Sequence, residues 1–389
     1  MLDFIYNTPT KVYFGRDKQK EVGKIIRELG YKKIMMQYGK GSIKKSGLYD
    51  EVISSLNKNG IKVVEMGGVE PNPKLSFVRE AIKVAKEEGV ELILAVGGGS
   101  VLDSSKMTAL GAKTDVDVWE FSMGRKTPTD ALPTACILTI SAAGSEMSNS
   151  AVLTNTELNV KKGCTTEFNR CKFAILNPEL TYSVGAYQTA CGIVDMMTHT
   201  MERYFTAVPP VEITDSIAES ILKSIMQAGK VLIDNPHDYE ARATVMWASS
   251  LSHNGLTACG RENALAVHQL EHALSGIYDF VAHGAGLAVL YPAYGKYMCK
   301  YAPERFARFA RKVMCVTEED DLTAGKLGME KLSEFFLRLG MPKTLKELGV
   351  PLGKAEELAN ATTYNQTRVI KNYIPLGFKE CKEIFESCY

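Results

Sequence analysis

Two pairs of side chains, each spaced four residues apart, carry the chemistry that can be read from this chain. His268 and His272, in His268-Gln269-Leu270-Glu271-His272, fall on one face of a helix, so both imidazoles can address one small volume. Upstream, Asp195 and His199 repeat the spacing and add a carboxylate, and His283-Gly284 follows the second pair after a short interval. A lone pair of this kind is commonly a solvated polar stripe. Two such pairs and a trailing His-Gly, in a chain with six histidines, favour a divalent-metal centre built from nitrogen and oxygen ligands. The zinc-peptidase pattern places Glu directly after the first His. Gln269 stands there instead and the acid is Glu271, which argues against metal-assisted peptide hydrolysis.

A second chemical feature lies in the first half. Glu91 to Val96 is a nearly all-apolar run, as expected of a strand covered on both faces, and it leads into Gly97-Gly98-Gly99-Ser100-Val101-Leu102-Asp103. From Ser104 the spacing through Met107 and Leu110 predicts a helix. Strand, glycine turn and helix start in that order expose backbone N–H groups to an anion, and a pyrophosphate suits the site. The run is neither GxGxxG nor a phosphate loop closed by Gly-Lys-Ser/Thr, so it points to a nucleotide without ATP hydrolysis. After the first strand of the alternating region, Gly39-Lys40-Gly41-Ser42-Ile43-Lys44-Lys45 offers open backbone, a hydroxyl and cations where a carboxylate would select a ribose 2′-hydroxyl. Gly39, Gly41, Ser42 and Lys45 are therefore expected around a 2′-phosphate.

The elements that must position these groups follow from periodicity. Residues 32–38, 62–65, 91–96 and 135–140 read as strands and alternate with helical spacing over 47–59 and from Val78 to Ala85, which predicts an open parallel α/β sheet. Ala151 to Thr154 and Phe173 to Leu176 read as shorter strands joined as a hairpin with its turn at Lys161-Lys162-Gly163, and Thr10 to Phe14 reads as an edge strand. Beyond about Gly185 only helical spacing appears. Gly192 to Phe205, Ile213 to Ile233, Tyr239 to Leu256, Glu262 to Ser275 and Ala302 to Val313 read as helices punctuated by Pro209-Pro210, Asn235-Pro236 and Pro292, with more helix after Thr323. The fold class expected is thus a Rossmann-like α/β dinucleotide-binding domain over residues 1–184, followed by an all-α metal-binding domain over 185–389. His237 and His253 are expected at the surface or as caps, and Met196, Met197 and Met201 in the core.

Composition removes other classes. Net charge is +1 with acids and bases interspersed, so no basic face advertises nucleic acid. The first residues lack a signal-peptide pattern, and no apolar run reaches membrane-spanning length. Nine cysteines without a CxxC fit reduced thiols, and a cytoplasmic location is expected.

Taken jointly, Gly97-Gly98-Gly99-Ser100 with Asp103, Gly144-Ser145-Glu146-Met147, Asp195 with His199, and His268, His272 and His283-Gly284 resemble the iron-containing (group III) alcohol dehydrogenases, nearest their NADPH-using butanol dehydrogenase branch. The likeness spans essentially the whole chain. It implies Asp195, His199, His268 and His283 as metal ligands, and it makes Asn72, Gly98, Gly99, Ser100, Asp103, Thr139 and Lys162 cofactor contacts, with Gly97 and Ser141 beside them. It also implies a homodimer. The familiar TSGTGSE run is here Ile140-Ser141-Ala142-Ala143-Gly144-Ser145-Glu146, so contacts at Ala142 and Ala143 are limited to backbone. One more residue than is common in the family stands between His272 and His283, which bears on where His283 is delivered.

The chemistry expected is reversible hydride transfer between NADP(H), preferred over NAD(H), and a primary alcohol or its aldehyde, such as butanol and butyraldehyde. No side chain carries two electrons, so the nicotinamide must, and a Lewis acid steadies the substrate oxygen. A thiolate-free ligand set points to Fe²⁺, with Zn²⁺ able to bind. His272 is the candidate either to relay the proton or to orient a ligand. Two alternatives on the same architecture are a lyase resembling dehydroquinate synthase and a polyol oxidoreductase resembling glycerol dehydrogenase. The lyase needs several cations near the metal, where the sequence offers mainly Arg203 and Arg261.

Overall fold

The computed structural model describes residues 1–262 and 265–389. Two compact units divide the chain: Asn7–Val184, and Gly185–Tyr389 together with Met1–Tyr6.

In the first unit a six-stranded sheet has the order β1-β8-β5-β4-β2-β3. Its strands are β1 (Lys11–Phe14), β2 (Lys33–Gly39), β3 (Lys62–Val69), β4 (Leu92–Gly97), β5 (Thr134–Leu138) and β8 (Phe173–Leu176), and every neighbouring pair runs parallel. Helices α1 (Val22–Glu28), α2 (Ser42–Lys45), α3 (Leu48–Lys58), α4 (Leu75–Glu88), α5 (Gly99–Gly111) and α6 (Val118–Ser122) make the connections. Strand β4 is buried along its whole length, which is why its sequence shows no alternation. The chain runs from β2 outward to β3 and then returns across β2 to β4, so the direction of winding reverses between β2 and β4. Ligands of open α/β sheets lie beyond the carboxyl ends of the strands at that reversal.

The hairpin in this unit differs from the one the sequence suggests. It joins β6 (Ser150–Asn155) to β7 (Val160–Thr165), so Lys161, Lys162 and Gly163 lie inside a strand, while β8 joins the parallel sheet between β1 and β5. The turn is made upstream, where the Asn155 side chain accepts the N–H groups of Glu157 and Leu158 and Asn159 takes a left-handed φ of 52°.

The second unit is helical: α7 (Ala186–Tyr204), α8 (Glu212–Asp234), α9 (Tyr239–His253), α10 (Ala266–Ile277), α11 (His283–Met298), α12 (Pro303–Lys312), α13 (Asp321–Arg338), α14 (Ala355–Thr362) and α15 (Phe378–Glu386). The helix expected from Glu262 passes over 263–264, which lie outside the described residues, and its described part is α10. Pro292 does not separate helices as expected. It sits within α11, whose buried residues run on both sides of it, and that packing offsets the roughly 3 kcal/mol that an interior proline costs. Helix α7 is buried without a break from Thr189 to Tyr204, with Met196, Met197 and Met201 fully enclosed in the core. Met1–Tyr6 adds one backbone bond to this unit, from the Leu2 N–H to the Gly260 carbonyl at 3.0 Å. No helix among the described residues is long and apolar enough to cross a membrane, and the nine cysteines are unpaired.

Candidate active site

Helix α7 presents Asp195 and His199 one turn apart, α10 presents His268, and α11 opens on His283. Their polar atoms converge on Asp195 Oδ1: His199 Nε2 lies 3.3 Å away, His268 Nε2 3.5 Å and His283 Nε2 3.8 Å. Ligand atoms held about 2.1 Å from a tetrahedral ion stand about 3.4 Å apart, so this spacing fits a divalent cation. The hydrogen bonding agrees. Asp195 Oδ1 and His268 Nε2 are buried with no hydrogen-bond partner, a costly arrangement for a carboxylate and an imidazole that an ion would relieve. Asp195, His199 and His268 form one tight, buried group, whereas His283 is a quarter exposed and is drawn in from the side.

Two imidazoles in this group are pushed in opposite directions. Burial holds His199 well below the usual histidine range, and the neighbouring His253 and His268 add to the effect. Burial also pulls His268 down, but the nearby carboxylates of Asp195 and Glu202 outweigh it and raise it to about 9. The rings of His199 and His268 stack at 4.1 Å, so protonating both would set two cations face to face.

Glu202, Glu271 and His253 also take part, of which Glu202 carried no signal in the sequence. Glu202, on the stripe of α7 that carries Asp195 and His199, accepts the backbone N–H groups of Val267 at 2.5 Å and His268 at 3.2 Å. It caps α10 from a neighbouring helix and fixes the start of the segment bearing His268. The local capping residue, Leu265, is in the left-handed region at φ 47° with no side-chain cap of its own, so the signal for this cap was not local. Glu271 is fully buried and bonds to His283 Nδ1. His253, expected at the surface or as a cap, instead ends α9 half-buried with its ring 4.0 Å from that of His199. Packing of α9 on α7, which no local pattern encodes, brings it there. His237 is exposed, as expected. His272 is half-buried, 5.6 Å from the His283 ring between centroids.

In the first unit the candidate cofactor residues gather at one end of the sheet. Gly39 ends β2, Gly97 ends β4, Asn72 follows β3 and Thr139 follows β5, its N–H bonded to the Gly97 carbonyl at 3.1 Å. These are adjacent strands at the winding reversal. The helix after the glycine turn starts at Gly99, five residues before the expected Ser104, because the Gly98 carbonyl already accepts the N–H groups of Val101 and Leu102. The glycines hide this start, since glycine disfavours helix interiors. They are present for close approach: a Cβ on Gly98 would lie 2.3 Å from Ile140 Cγ2, and one on Gly97 2.6 Å from Val101 Cγ2. On Gly99 the nearest atom would be Ala143 Cβ at 4.0 Å, leaving the helix mouth beside Ser100 open.

Asp103, expected at the cofactor, spends both oxygens on the protein: Ser145 Oγ donates to Oδ1 at 2.7 Å and the Val152 N–H to Oδ2 at 3.0 Å. It is thereby a tie between α5, the 141–148 segment and β6. One turn later Lys106 is 1% exposed, and its ammonium donates to the carbonyls of Ser145, Ser148 and Ser150 and to the hydroxyls of Ser145 and Ser148 at 2.6–3.3 Å. Ser141 is buried in the same segment. Lys162 lies in β7, with Met123 Sδ at 4.0 Å from its ammonium. Replacing Lys106 by Met strands several buried oxygen acceptors at once. The expected cost is about 3 kcal/mol or more of unfolding free energy, read as a lower denaturant midpoint for Lys106→Met than for wild type.

Residues 9–178 match the family model described as iron-containing alcohol dehydrogenase, and residues 189–389 match the C-terminal domain of the Fe-containing alcohol dehydrogenase family. The chain is 39% identical to NADH-dependent butanol dehydrogenase A of Clostridium acetobutylicum, covering all of both chains. It is 33% identical to the NADPH-dependent aldehyde reductase YqhD of Escherichia coli, covering 90% of each. A crystal structure of NADH-dependent butanol dehydrogenase A from Thermotoga maritima superposes with a TM-score of 0.96 at 38% identity, covering 100% of this chain and 99% of the other. With both halves of the chain matched in this way, the protein belongs to the iron-containing alcohol dehydrogenase family and is an oxidoreductase of alcohols and aldehydes that uses a nicotinamide cofactor.

Proposed function

We propose that this protein reduces small aliphatic aldehydes to primary alcohols, and runs the reverse reaction, with NADP(H) as the preferred cofactor and a divalent metal, Fe²⁺ first and Zn²⁺ second, held by Asp195, His199, His268 and His283. The carrying observation is the convergence of three Nε2 atoms within 3.8 Å of one buried carboxylate oxygen. All donors are nitrogen or oxygen, a set that suits Fe²⁺ and Zn²⁺ alike.

When bound, the metal supplies a Lewis acid for the oxygen of the alcohol or aldehyde. The chain's residues do the rest. Asp195 contributes negative charge that offsets part of the cation's, and the three histidines would donate Nε2 lone pairs, a bound cation displacing any proton held there. The buried surroundings of Asp195, His199 and His268 keep water from competing for the site. His272, half-buried beside His283, is the group placed to move a proton between substrate oxygen and solvent. On the nucleotide side, the backbone N–H groups at Gly98, Gly99 and Ser100 are offered to the pyrophosphate at the mouth of α5.

The NADP(H) preference rests on the turn after β2. No acid occurs from Gly39 to Lys45, and two carboxylates in and just after the neighbouring strand β3 are engaged: Glu70 with Lys40 at 2.6 Å, and Glu65 with the hydroxyls of Tyr38 and Tyr49. The named relatives divide between NADH and NADPH, so the comparison to make is kcat/KM with each cofactor on one aldehyde. Metal-reconstituted protein should oxidise NADPH with butyraldehyde and reduce NADP⁺ with butanol; inactivity with both pairs sinks the reading, and a preference for NADH sinks the cofactor part alone. A homodimer belongs to the same proposal, supported by the place of β1 at the edge of the sheet, and light scattering tests it. Action in the cytoplasm also belongs to it, supported by nine free thiols.

The lyase alternative draws no support from the second unit. Arg203 is buried and donates to the His199 carbonyl at 2.6 Å, while Arg261 bonds the Tyr204 carbonyl and pairs with Asp215. Both cations are committed to the fold and do not stand ready for an anionic polyhydroxylated substrate.

A further inference from the structure

We infer that Glu271 is a positioning residue of the metal centre: through His283 Nδ1 it fixes the tautomer and aim of that imidazole and places a second negative charge behind the cation. The inference rests on the metal assignment proposed above. Its starting point is burial. Glu271 is 0% exposed, and a carboxylate is taken out of water at a cost of several kcal/mol unless a specific partner compensates. One partner is His283 Nδ1, bonded to Glu271 Oε2.

A carboxylate at Nδ1 engages that nitrogen as a donor, which leaves Nε2 as the ring nitrogen open to a cation. That Nε2 is the atom 3.8 Å from Asp195 Oδ1.

Why His283 needs such a holder follows from its place in the chain. His199 and His268 sit within helices and are almost fully enclosed, whereas His283 is the first residue of α11, reached through the connection after Ile277, and its side chain is 25% exposed. Packing alone restrains it least. The carboxylate comes from α10, three residues after His268, so the helix that offers one imidazole directly also braces another. Space has been made for it. A Cβ on Gly286 would meet Glu271 Cγ at 3.0 Å and Oε1 at 3.2 Å, so a side chain in the first turn of α11 would press on the carboxylate. The three imidazoles are not treated alike: Nδ1 of His199 has no hydrogen-bond partner among the described residues, and Nδ1 of His268 is 3.7 Å from Glu202. Among the described residues, His283 is the one of the three whose Nδ1 is bonded to a carboxylate, and such a partner strengthens the ring as a ligand.

The test uses full-length wild type, Glu271→Gln, Glu271→Leu and His268→Ala, each stripped of metal and titrated with Co²⁺, followed by visible absorption and by competition with a chromophoric chelator. Glu271→Gln keeps an acceptor for Nδ1 without the charge and should bind Co²⁺ about 10-fold more weakly; Glu271→Leu loses both and should fall about 100-fold, with altered absorption bands. A merely structural glutamate would lower the melting temperature of the metal-free protein and leave the Co²⁺ spectrum and affinity alone. Wild-type affinity and spectrum in both Glu271 variants overturn the inference while leaving the metal assignment standing. Failure of wild type to bind Co²⁺, or wild-type binding by His268→Ala, overturns the metal assignment and the role of Glu271 with it. If Glu271→Leu does not fold, the shift in Glu271→Gln decides.

Discussion

Asp195→Ala is expected to lose its metal and at least about 10³-fold in kcat/KM for aldehyde reduction, the consequence of removing a Lewis acid worth several kcal/mol to the reaction. Asp195 Oδ1 is the atom on which the imidazoles of three different helices converge. Without it, the remaining donors are neutral nitrogens in a buried place, and the cation's desolvation has no nearby carboxylate ligand to offset it. Asp195→Asn keeps the volume of the side chain and serves as the control for folding, since Asp195 lies within a helix buried on every side. Metal analysis and steady-state kinetics on both variants check the expectation. A variant with full metal content and activity would remove Asp195 from the centre.

The second large effect concerns His272. In His272→Ala, kcat is expected to fall by about 10²- to 10³-fold with metal content unchanged, the range for loss of a group that moves a proton in the rate-limiting step. Its two candidate roles, moving a proton and orienting a ligand, predict different outcomes. Its ring lies 5.6 Å from that of His283, while the carboxylate that bonds His283 is supplied by Glu271. The bond from His283 to Glu271 supports proton movement as the role proposed for His272. Rescue of the variant by exogenous imidazole, without any change in metal affinity, would mark a proton relay. Loss of metal along with activity would instead mark His272 as an orienting group.

The contrast between what could and could not be read from the chain is clearest at the metal centre. Asp195 with His199, and His268 with His272, were visible because helical spacing places each pair on one face whatever surrounds it. Glu202 was not, although it lies on the same stripe as Asp195 and His199, because its partners are the backbone N–H groups of Val267 and His268 on another helix. Sequence showed Glu271 only as an acid in the wrong place for peptide hydrolysis. Its actual partner, His283, is 12 residues away and meets it only when α10 and α11 pack together. The approach of the His253 ring to His199 has the same origin, the packing of α9.

In the sheet, local pattern failed where glycine and lysine imitate a turn. Lys161-Lys162-Gly163 has the composition of a loop, yet it pairs in register with Val152, Leu153 and Thr154, and Phe173–Leu176 belongs to the parallel sheet. Lys106 gave no signal at all, since a lone lysine in a helix is ordinarily solvated, and only the fold of residues 145–150 around it supplies the oxygens that let it be buried.

Taken by itself, the order of apolar runs determined the alternation of strand and helix, the change to helices alone near residue 185, and the residue types able to grip a metal and a nucleotide. These are properties of short stretches, governed by backbone period and side-chain chemistry. Which carboxylate faces which imidazole, which ring is neutral and which is raised to about 9, and which glycines are needed for close packing were decided by the tertiary structure. Those outcomes depend on burial and on distances between segments far apart in the chain, and neither exists until the helices and sheet have packed.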